Sequence, residues 1–513
     1  MTANDILRLM REDFLAYAPR ALKIRTKAGS IQPFILNDAQ RFIHEKLEAQ
    51  RERTGRVRAL ILKGRQQGAS TYIGGRFYWR TSGEFGKQAY ILTHEQPATD
   101  NLFGMTKRFH DNCPAELRPS TATDNAKELW FDRLDSRYKV ATAGSRGTGR
   151  SGTAQFFHGS EVAHWPNAKD HMAGLGQVVP NEDGTEIVLE TTANGVANLF
   201  HGMWQSSLRG EADETLLNDF IPVFVPWFWQ TEYRRTPPPG FVLDDHEAKY
   251  AEAYGLDAEQ MAWRRMKIAT DFEGDEALFN QEYPASPELA FMAGSDRALV
   301  QILDVVQARR RKAILPGGAR VLGVDPAEYG KDKTALVMRE GRRVLWVKRF
   351  AKLGTMQVAG IVANVIEEED PDAVVVDVTG IGTGVADRLI EQNYDRIYRV
   401  HPGEAAYEPL RFLNRRAEMW WQMNEWIKDQ PSLLPADDVL QNDLTMVQYH
   451  YDSSRRVVLM SKEKMRELGL PSPDSADALA LTFAVRVQPR SRPASRVADR
   501  LKSAATRGSA QAA

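Results

Sequence analysis

The chain has 513 residues, of which 42% are hydrophobic and 26% charged, and its formal net charge is −1. That length exceeds what one hydrophobic core holds together, so two or three domains are expected, and the balanced charge excludes a protein that coats nucleic acid over its whole surface. A single cysteine, Cys113, excludes an intramolecular disulfide framework and a thiolate zinc cluster.

The amino terminus, MTANDILRLMREDF, mixes acids with apolar residues and reads as an amphipathic helix, not a signal peptide. Residues 1–25 are expected to form a helical arm. No run approaches the ~18 apolar residues of a membrane span, so the expectation is a soluble cytoplasmic enzyme. From about residue 57 to 195, short apolar runs (57–62, 89–93, 155–157 and 187–190) alternate with Gly-bearing turns and helical stretches. This is the pattern of an α/β domain with a largely parallel sheet, whose functional loops leave the carboxyl ends of the strands.

The first such loop is Lys63-Gly64-Arg65-Gln66-Gln67-Gly68-Ala69-Ser70-Thr71. A Gly-bearing loop between a strand and a helix aims backbone N–H groups and the positive helix end at phosphate, and the Ser70 hydroxyl stands where it would ligate Mg²⁺. The usual phosphate loop ends in Gly-Lys-Ser/Thr, whereas here Ala69 holds the lysine position, so Lys63 or Arg65 has to supply the cation. On this motif alone an ordinary Gly-rich turn is an equal reading. About ninety residues on, the run 155–162 sets Glu161 just past a strand, where a carboxylate polarises an attacking water or holds the Mg²⁺ shell. The run 187–195 ends another strand in Thr192 and Asn194, suited to a γ-phosphate contact.

Residues 226–240 form a Pro-rich aromatic turn, and 243–292 read as mostly helical, closing the first domain; the segment 279–284 within them reads as interdomain packing. A second α/β pattern follows, with runs at 321–324, 335–338 and 344–347, a helix, and a run at 373–376, which suggests a mixed sheet. Asp325 and Asp377 each end a strand, and Asp474 and Asp477 open an apolar helix. Clustered carboxylates repel one another unless hard divalent cations bind between them. Two Mg²⁺ ions about 4 Å apart would activate water and stabilise the leaving oxygen of a phosphodiester. Lys462 reads as a solvated group, or else as one that neutralises the scissile phosphate, and Arg415 and Arg416 read as helix-surface salt-bridge formers, or else as DNA contacts. Residues 488–513 are basic, with little to bury, and are expected to be disordered.

In this order the segments GRQQGAST, FFHGSEVAHWPNA and ETTANG, followed by the three acidic elements, resemble the large terminase subunit of tailed bacteriophages over residues 30–486. The resemblance implies a P-loop (ASCE-type) ATPase domain with a mainly parallel sheet and a helical lid at 26–295. It also implies an RNase H-like nuclease domain with a mixed sheet at 296–487 and a basic tail at 488–513. By the same resemblance, ATP and Mg²⁺ serve the first site, and Mg²⁺ or Mn²⁺ the second. Gln40, ending the apolar element 33–40, becomes an adenine contact, and Ser160 stands where many such ATPases carry an aspartate. Arg150, with Arg146 nearby in the loop 145–152, becomes a trans-acting arginine finger or a grip on DNA phosphate. Asp325 is implied as the first-strand metal ligand and Asp377 as the second acid, with Asp474 and Asp477 sharing the third place.

The activity implied is ATP-driven movement of double-stranded DNA into a procapsid, together with endonucleolytic cutting of concatemers. The implied partners are double-stranded DNA, the portal protein, the small terminase subunit and further copies in a ring, a pentamer, on the portal, with no membrane. The implied location is the host cytoplasm, outside the mature virion. Two other readings stand beside it: a helicase-like ATPase with a resolvase-like nuclease acting in repair, and an assembly protein that binds nucleotide without turnover.

Overall fold

Runs rich in Val, Ile and Leu gather into two separate sheets in a computed structural model that describes residues 3–125, 127–143, 152–196, 198–211, 219–291, 298–327, 333–429 and 431–490. The chain divides into two units, Met1–Asp296 with Glu463–Pro471, and Arg297–Lys462 with Ser472–Ala513.

The first unit holds an eight-stranded sheet made of β1 (Val57–Lys63), β2 (Gln88–Thr93), β3 (Thr123–Asp124), β4 (Glu128–Phe131), β5 (Ser136–Thr142), β6 (Phe156–Ser160), β7 (Glu186–Thr191) and β8 (Ile221–Val225). Their order is β8-β1-β7-β6-β2-β5-β4-β3. The six strands from β8 to β5 pair in parallel, and the last two close the edge antiparallel. Every residue of β1, β6 and β7 is buried, as expected of central parallel strands covered on both faces. The helix α1 (Asp38–Thr54) starts in a capping box of Asn37 and Gln40 and stops at Gly55, whose φ is 72°. The helix α2 (Ala69–Gly83) follows the loop after β1.

The first 25 residues, expected as a helical arm, include the helices Ala3–Glu12 and Phe14–Ala21. Phe14, Tyr17, Ala18 and Leu22 are buried in one core with Phe34, Tyr72 and Phe77, because an amphipathic helix this rich in aromatics leaves apolar surface in water unless it packs. The helices Asp245–Tyr254, Ala258–Asp271, Glu276–Glu282 and Pro287–Phe291 occupy the stretch read as helical.

The second unit holds a five-stranded sheet of β9 (Arg320–Asp325), β10 (Thr334–Glu340), β11 (Arg343–Phe350), β12 (Ala373–Asp377) and β13 (Ile397–Val400), in the order β11-β10-β9-β12-β13. The first three pair antiparallel, and β12 and β13 run parallel to β9. This is the mixed sheet expected from the sequence. Val324 pairs with Val376, so the next residues, Asp325 and Asp377, stand side by side at the carboxyl ends of adjacent strands. Two helices complete the frame, α3 (Arg415–Lys428), capped by the Asn414 side chain, and α4 (Asp474–Leu481). The helix α4 lies so close to β9 that a Cβ on Gly323 would sit 1.9 Å from the Ala478 carbonyl oxygen, which only glycine avoids.

The basic tail beyond residue 490, and the loop carrying Arg146 and Arg150, lie outside the described residues.

Candidate functional sites

In the first unit, β1 delivers Lys63 to the carboxyl edge of the sheet, and the loop 64–68 turns back into α2. Gln66 has φ 57° and Gly68 φ 81°. A side chain at Gly68 would be strained by that φ, and its Cβ would lie 2.5 Å from the Gln40 amide nitrogen. Gln40 donates to the Gly68 carbonyl at 2.9 Å, and Asn37 donates to that of Gln67 at 3.3 Å. Gln67 is buried and donates to the Pro226 and Trp227 carbonyls at 3.2 Å each. The start of α1 and the segment after β8 therefore brace the loop from both sides. Gln40, expected as a base contact, has its amide engaged instead by this brace and by the capping box, where its oxygen accepts the Asn37 N–H at 3.0 Å. The same two segments line a cleft of about 360 Å³ formed by Asp38, Phe42, Phe228, Trp229, Thr231 and Arg234.

Lys63 lies between two carboxylates, 3.0 Å from Glu161 and 3.0 Å from Glu190. Burial alone would lower its pKa, but Glu161 and Glu190 outweigh that and hold it raised, so the ammonium stays charged. Arg65 differs: its side chain is 59% exposed and pairs with Glu282. The Arg65 N–H also donates to the Glu282 carbonyl at 2.9 Å, and Tyr233 donates to the Arg65 carbonyl at 2.8 Å. Glu282, read from sequence as interdomain packing, belongs to this loop because its short helix Glu276–Glu282 ends beside it.

Glu161 takes a left-handed φ of 55° at the turn after β6. Its carboxylate accepts the Thr192 N–H at 3.0 Å. Asn194 donates to the Ala163 carbonyl at 3.1 Å, joining the two loops. Ala69 is buried and Thr71 half-buried on α2.

The residue that sequence reasoning passed over is Glu190. It lies fully buried at the end of β7, and accepts from the Ser70 hydroxyl at 2.6 Å and the Ser160 hydroxyl at 2.8 Å. Burial pushes its carboxyl up, but Lys63, His158 and Ser70 together hold it below the usual carboxylate range. An acid inside a continuous apolar strand was the available signal, since buried strand positions seldom carry unpaired charge.

In the second unit, Asp325, Asp377, Asp474 and Asp477 are each under one-tenth exposed and meet at the β9–β12 edge beside the start of α4. Asp325 has its pKa raised well above the ordinary value: burial is the largest cause, Lys462 opposes it, and Asp477, Asp377 and Asp474 add to it in that order. Asp477 is the opposite case. Burial would raise it, yet Arg416, Lys462 and Trp420 bring it down to about 2. The contacts are Arg416 Nε at 3.1 Å, Trp420 Nε1 at 2.8 Å and Lys462 Nζ at 3.0 Å, with Lys462 also 4.0 Å from Asp325. Asp474 accepts the Lys333 N–H at 2.9 Å, and Asp377 closes its own turn on the Thr379 N–H at 2.7 Å.

Arg416, with 13% of its side chain exposed, is thus not a surface group as read from sequence, and Lys462, 39% exposed, turns its ammonium onto the cluster. The carboxylate cluster draws both inward, because buried charge needs compensation. Trp420 carried no sequence signal, since an indole is usually only core.

Among the described residues no group of three or more His, Cys, Asp or Glu side chains is arranged to hold a metal ion as it stands. The donor chemistry nonetheless suits hard divalent cations: four buried carboxylates, one with its pKa raised by burial and then by its acidic neighbours, are stabilised when positive charge enters among them. Lys462 now supplies part of that charge.

No family model and no curated protein matches this chain. Among solved structures, the large terminase of bacteriophage HK97 is similar over 92% of this chain and 99% of its own, at 12% identity and a TM-score of 0.42. The large terminase of a thermophilic bacteriophage is similar over 88% of this chain and 99% of its own, at 10% identity and a TM-score of 0.33. The nuclease domain of the large terminase subunit of bacterial virus Sf6 is similar over 37% of this chain and all of its own, at 19% identity and a TM-score of 0.34.

Proposed function

We propose that the chain is the large subunit of a tailed-bacteriophage terminase, hydrolysing ATP to drive double-stranded DNA into a procapsid and cutting concatemeric DNA with its second unit. The observation that carries this reading is the pairing in one chain of two sites. One is a Gly-bearing strand-to-helix loop whose buried lysine sits between two carboxylates at the carboxyl end of a parallel sheet. The other is four buried aspartates at the carboxyl ends of adjacent strands of the mixed sheet and the start of α4.

At the first site the triphosphate would lie against the backbone N–H groups of Gln66–Thr71, at the amino end of α2. Ser70 would hold the Mg²⁺ that accompanies the nucleotide. Lys63 and the exposed Arg65 supply positive charge from the start of the loop, in place of the lysine missing at Ala69. Glu161, fixed by the Thr192 N–H, orients the attacking water, and Asn194 ties the Thr192 loop to the Glu161 turn, so loss of the γ-phosphate is felt in both. The base would occupy the aromatic cleft of Phe42, Phe228 and Trp229, because Gln40 is engaged elsewhere. Arg150 of a neighbouring copy is the proposed arginine finger.

At the second site Asp325, Asp377, Asp474 and Asp477 would hold Mg²⁺ or Mn²⁺, which when bound supplies an activated water and a stabilised leaving oxygen. Arg416 and Trp420 hold Asp477 in place, and Lys462 balances charge beside the phosphate. Portal protein, small subunit, a pentameric ring and a host-cytoplasmic location belong to the same proposal.

ATP-dependent protection of DNA inside purified procapsids tests it. Protection from added nuclease in the presence of ATP, lost in Glu161→Gln, is the expected result. Strand unwinding or junction cleavage with no packaging would favour a repair enzyme and overturn it.

A further inference from the structure

Ser160 and Glu190 are register partners on the adjacent parallel strands β6 and β7, so their side chains leave the sheet on the same face. The strand β7 lies between β6 and β1, the strand that feeds the phosphate loop. From that central position Glu190 Oε1 receives the Ser70 hydroxyl at 2.6 Å and the Ser160 hydroxyl at 2.8 Å, and no part of its side chain is exposed. An ionised carboxylate with no contact to water is destabilising unless charge and hydrogen bonds surround it. Lys63 supplies the charge at 3.0 Å. One oxygen of this buried acid is thus directed at the hydroxyl of the first turn of α2, while the neighbouring strand end carries only a serine.

We propose that Glu190 is a transposed acid. From β7 it does what an aspartate at position 160 would do from β6: it orients the Ser70 hydroxyl and anchors the water shell of the divalent cation that accompanies the nucleotide. Glutamate carries one more methylene than aspartate, which extends its reach across part of the ~4.8 Å between neighbouring strands. Ser160 is left as a donor that fixes the Glu190 carboxylate, and Lys63 keeps that carboxylate ionised. Glu190 acts beside Glu161, which keeps the separate task of orienting water.

The inference rests on the nucleotide reading of this site, and one experiment separates the two. Binding of a fluorescent ADP analogue to the full chain is measured by titrating Mg²⁺ and, separately, in EDTA. The wild-type chain is expected to bind more tightly with Mg²⁺. In Glu190→Gln the Mg²⁺ concentration needed is expected to rise ~10–100-fold, the usual effect of losing an outer-shell partner, measured relative to that variant's own binding in EDTA. The exchange Ser160→Asp/Glu190→Ser is expected to restore the wild-type Mg²⁺ requirement, which a purely structural role for Glu190 does not predict.

A folded Glu190→Gln chain with an unchanged Mg²⁺ requirement overturns the proposal. So does an exchange variant that fails to fold or to restore it, and the exchange variant alone decides if Glu190→Gln does not fold. Wild-type binding with no Mg²⁺ effect overturns this inference alone, whereas no nucleotide binding at all overturns the reading beneath it.

Discussion

The Lys63 ammonium and the Glu190 carboxylate form an ion pair at 3.0 Å, with 7% of one side chain and none of the other exposed. Removing one partner leaves the other buried and uncompensated, which costs about 3–5 kcal/mol. Lys63→Met is therefore expected to destabilise the first unit by about that amount, and urea unfolding measures it. A loss below about 1 kcal/mol would mean that water reaches the pair.

Arg65 should behave differently, although it stands two residues away on the same loop. Its own side chain is 59% exposed in the pair with Glu282, and pairs open to water on one side contribute about 0–1 kcal/mol. Arg65→Ala is expected to leave the melting temperature nearly unchanged and to weaken ATP binding by about tenfold, roughly 1.4 kcal/mol. Equilibrium binding and melting curves on the same protein check both halves.

Glu161→Gln keeps the shape of the side chain and removes its charge. Turnover is expected to fall ~10²–10⁴-fold, the usual contribution of a positioned base, while nucleotide binding persists. Steady-state hydrolysis beside equilibrium binding makes the comparison, and undiminished turnover would move the water-orienting role to another residue.

The pKa values of Asp325 and Asp477 are shifted in opposite directions, so their amide variants should change stability with opposite signs. Asp325 has a raised pKa in the folded chain. Its contribution to stability is full below the ordinary value of 3.8 and is lost as pH rises through the elevated value. Asp477 has its pKa lowered to about 2, so its contribution is present above 3.8 and is lost as pH falls towards 2. At neutral pH in EDTA, Asp325→Asn is therefore expected to raise the melting temperature and Asp477→Asn to lower it, at ~2–4 °C per kcal/mol for domains of this size. Scanning calorimetry reads both, and shifts of the same sign would contradict the charge distribution described above.

If the carboxylate cluster takes divalent cations, Asp325→Ala should abolish Mg²⁺- or Mn²⁺-dependent plasmid cleavage and leave ATP hydrolysis intact. Retained cleavage would remove Asp325 from the nuclease site.

The sequence by itself determined the two α/β patterns, the strand ends that carry Lys63, Glu161, Asp325 and Asp377, and the helix opened by Asp474 and Asp477. These are local signals: apolar runs, punctuating glycines, and a charged residue where a run stops. Which acids and cations meet was decided by tertiary structure alone. Glu190 acquires its place only when β7 lies between β1 and β6, and Arg416 and Lys462 become inward-facing only when both reach the Asp477 carboxylate at the start of α4. The first helices looked like an arm because their apolar face has no partner in the sequence around it, and finds one in Phe34 and Tyr72. A side chain's charge environment is set by residues tens to hundreds of positions away, and no reading of neighbours along the chain contains that distance.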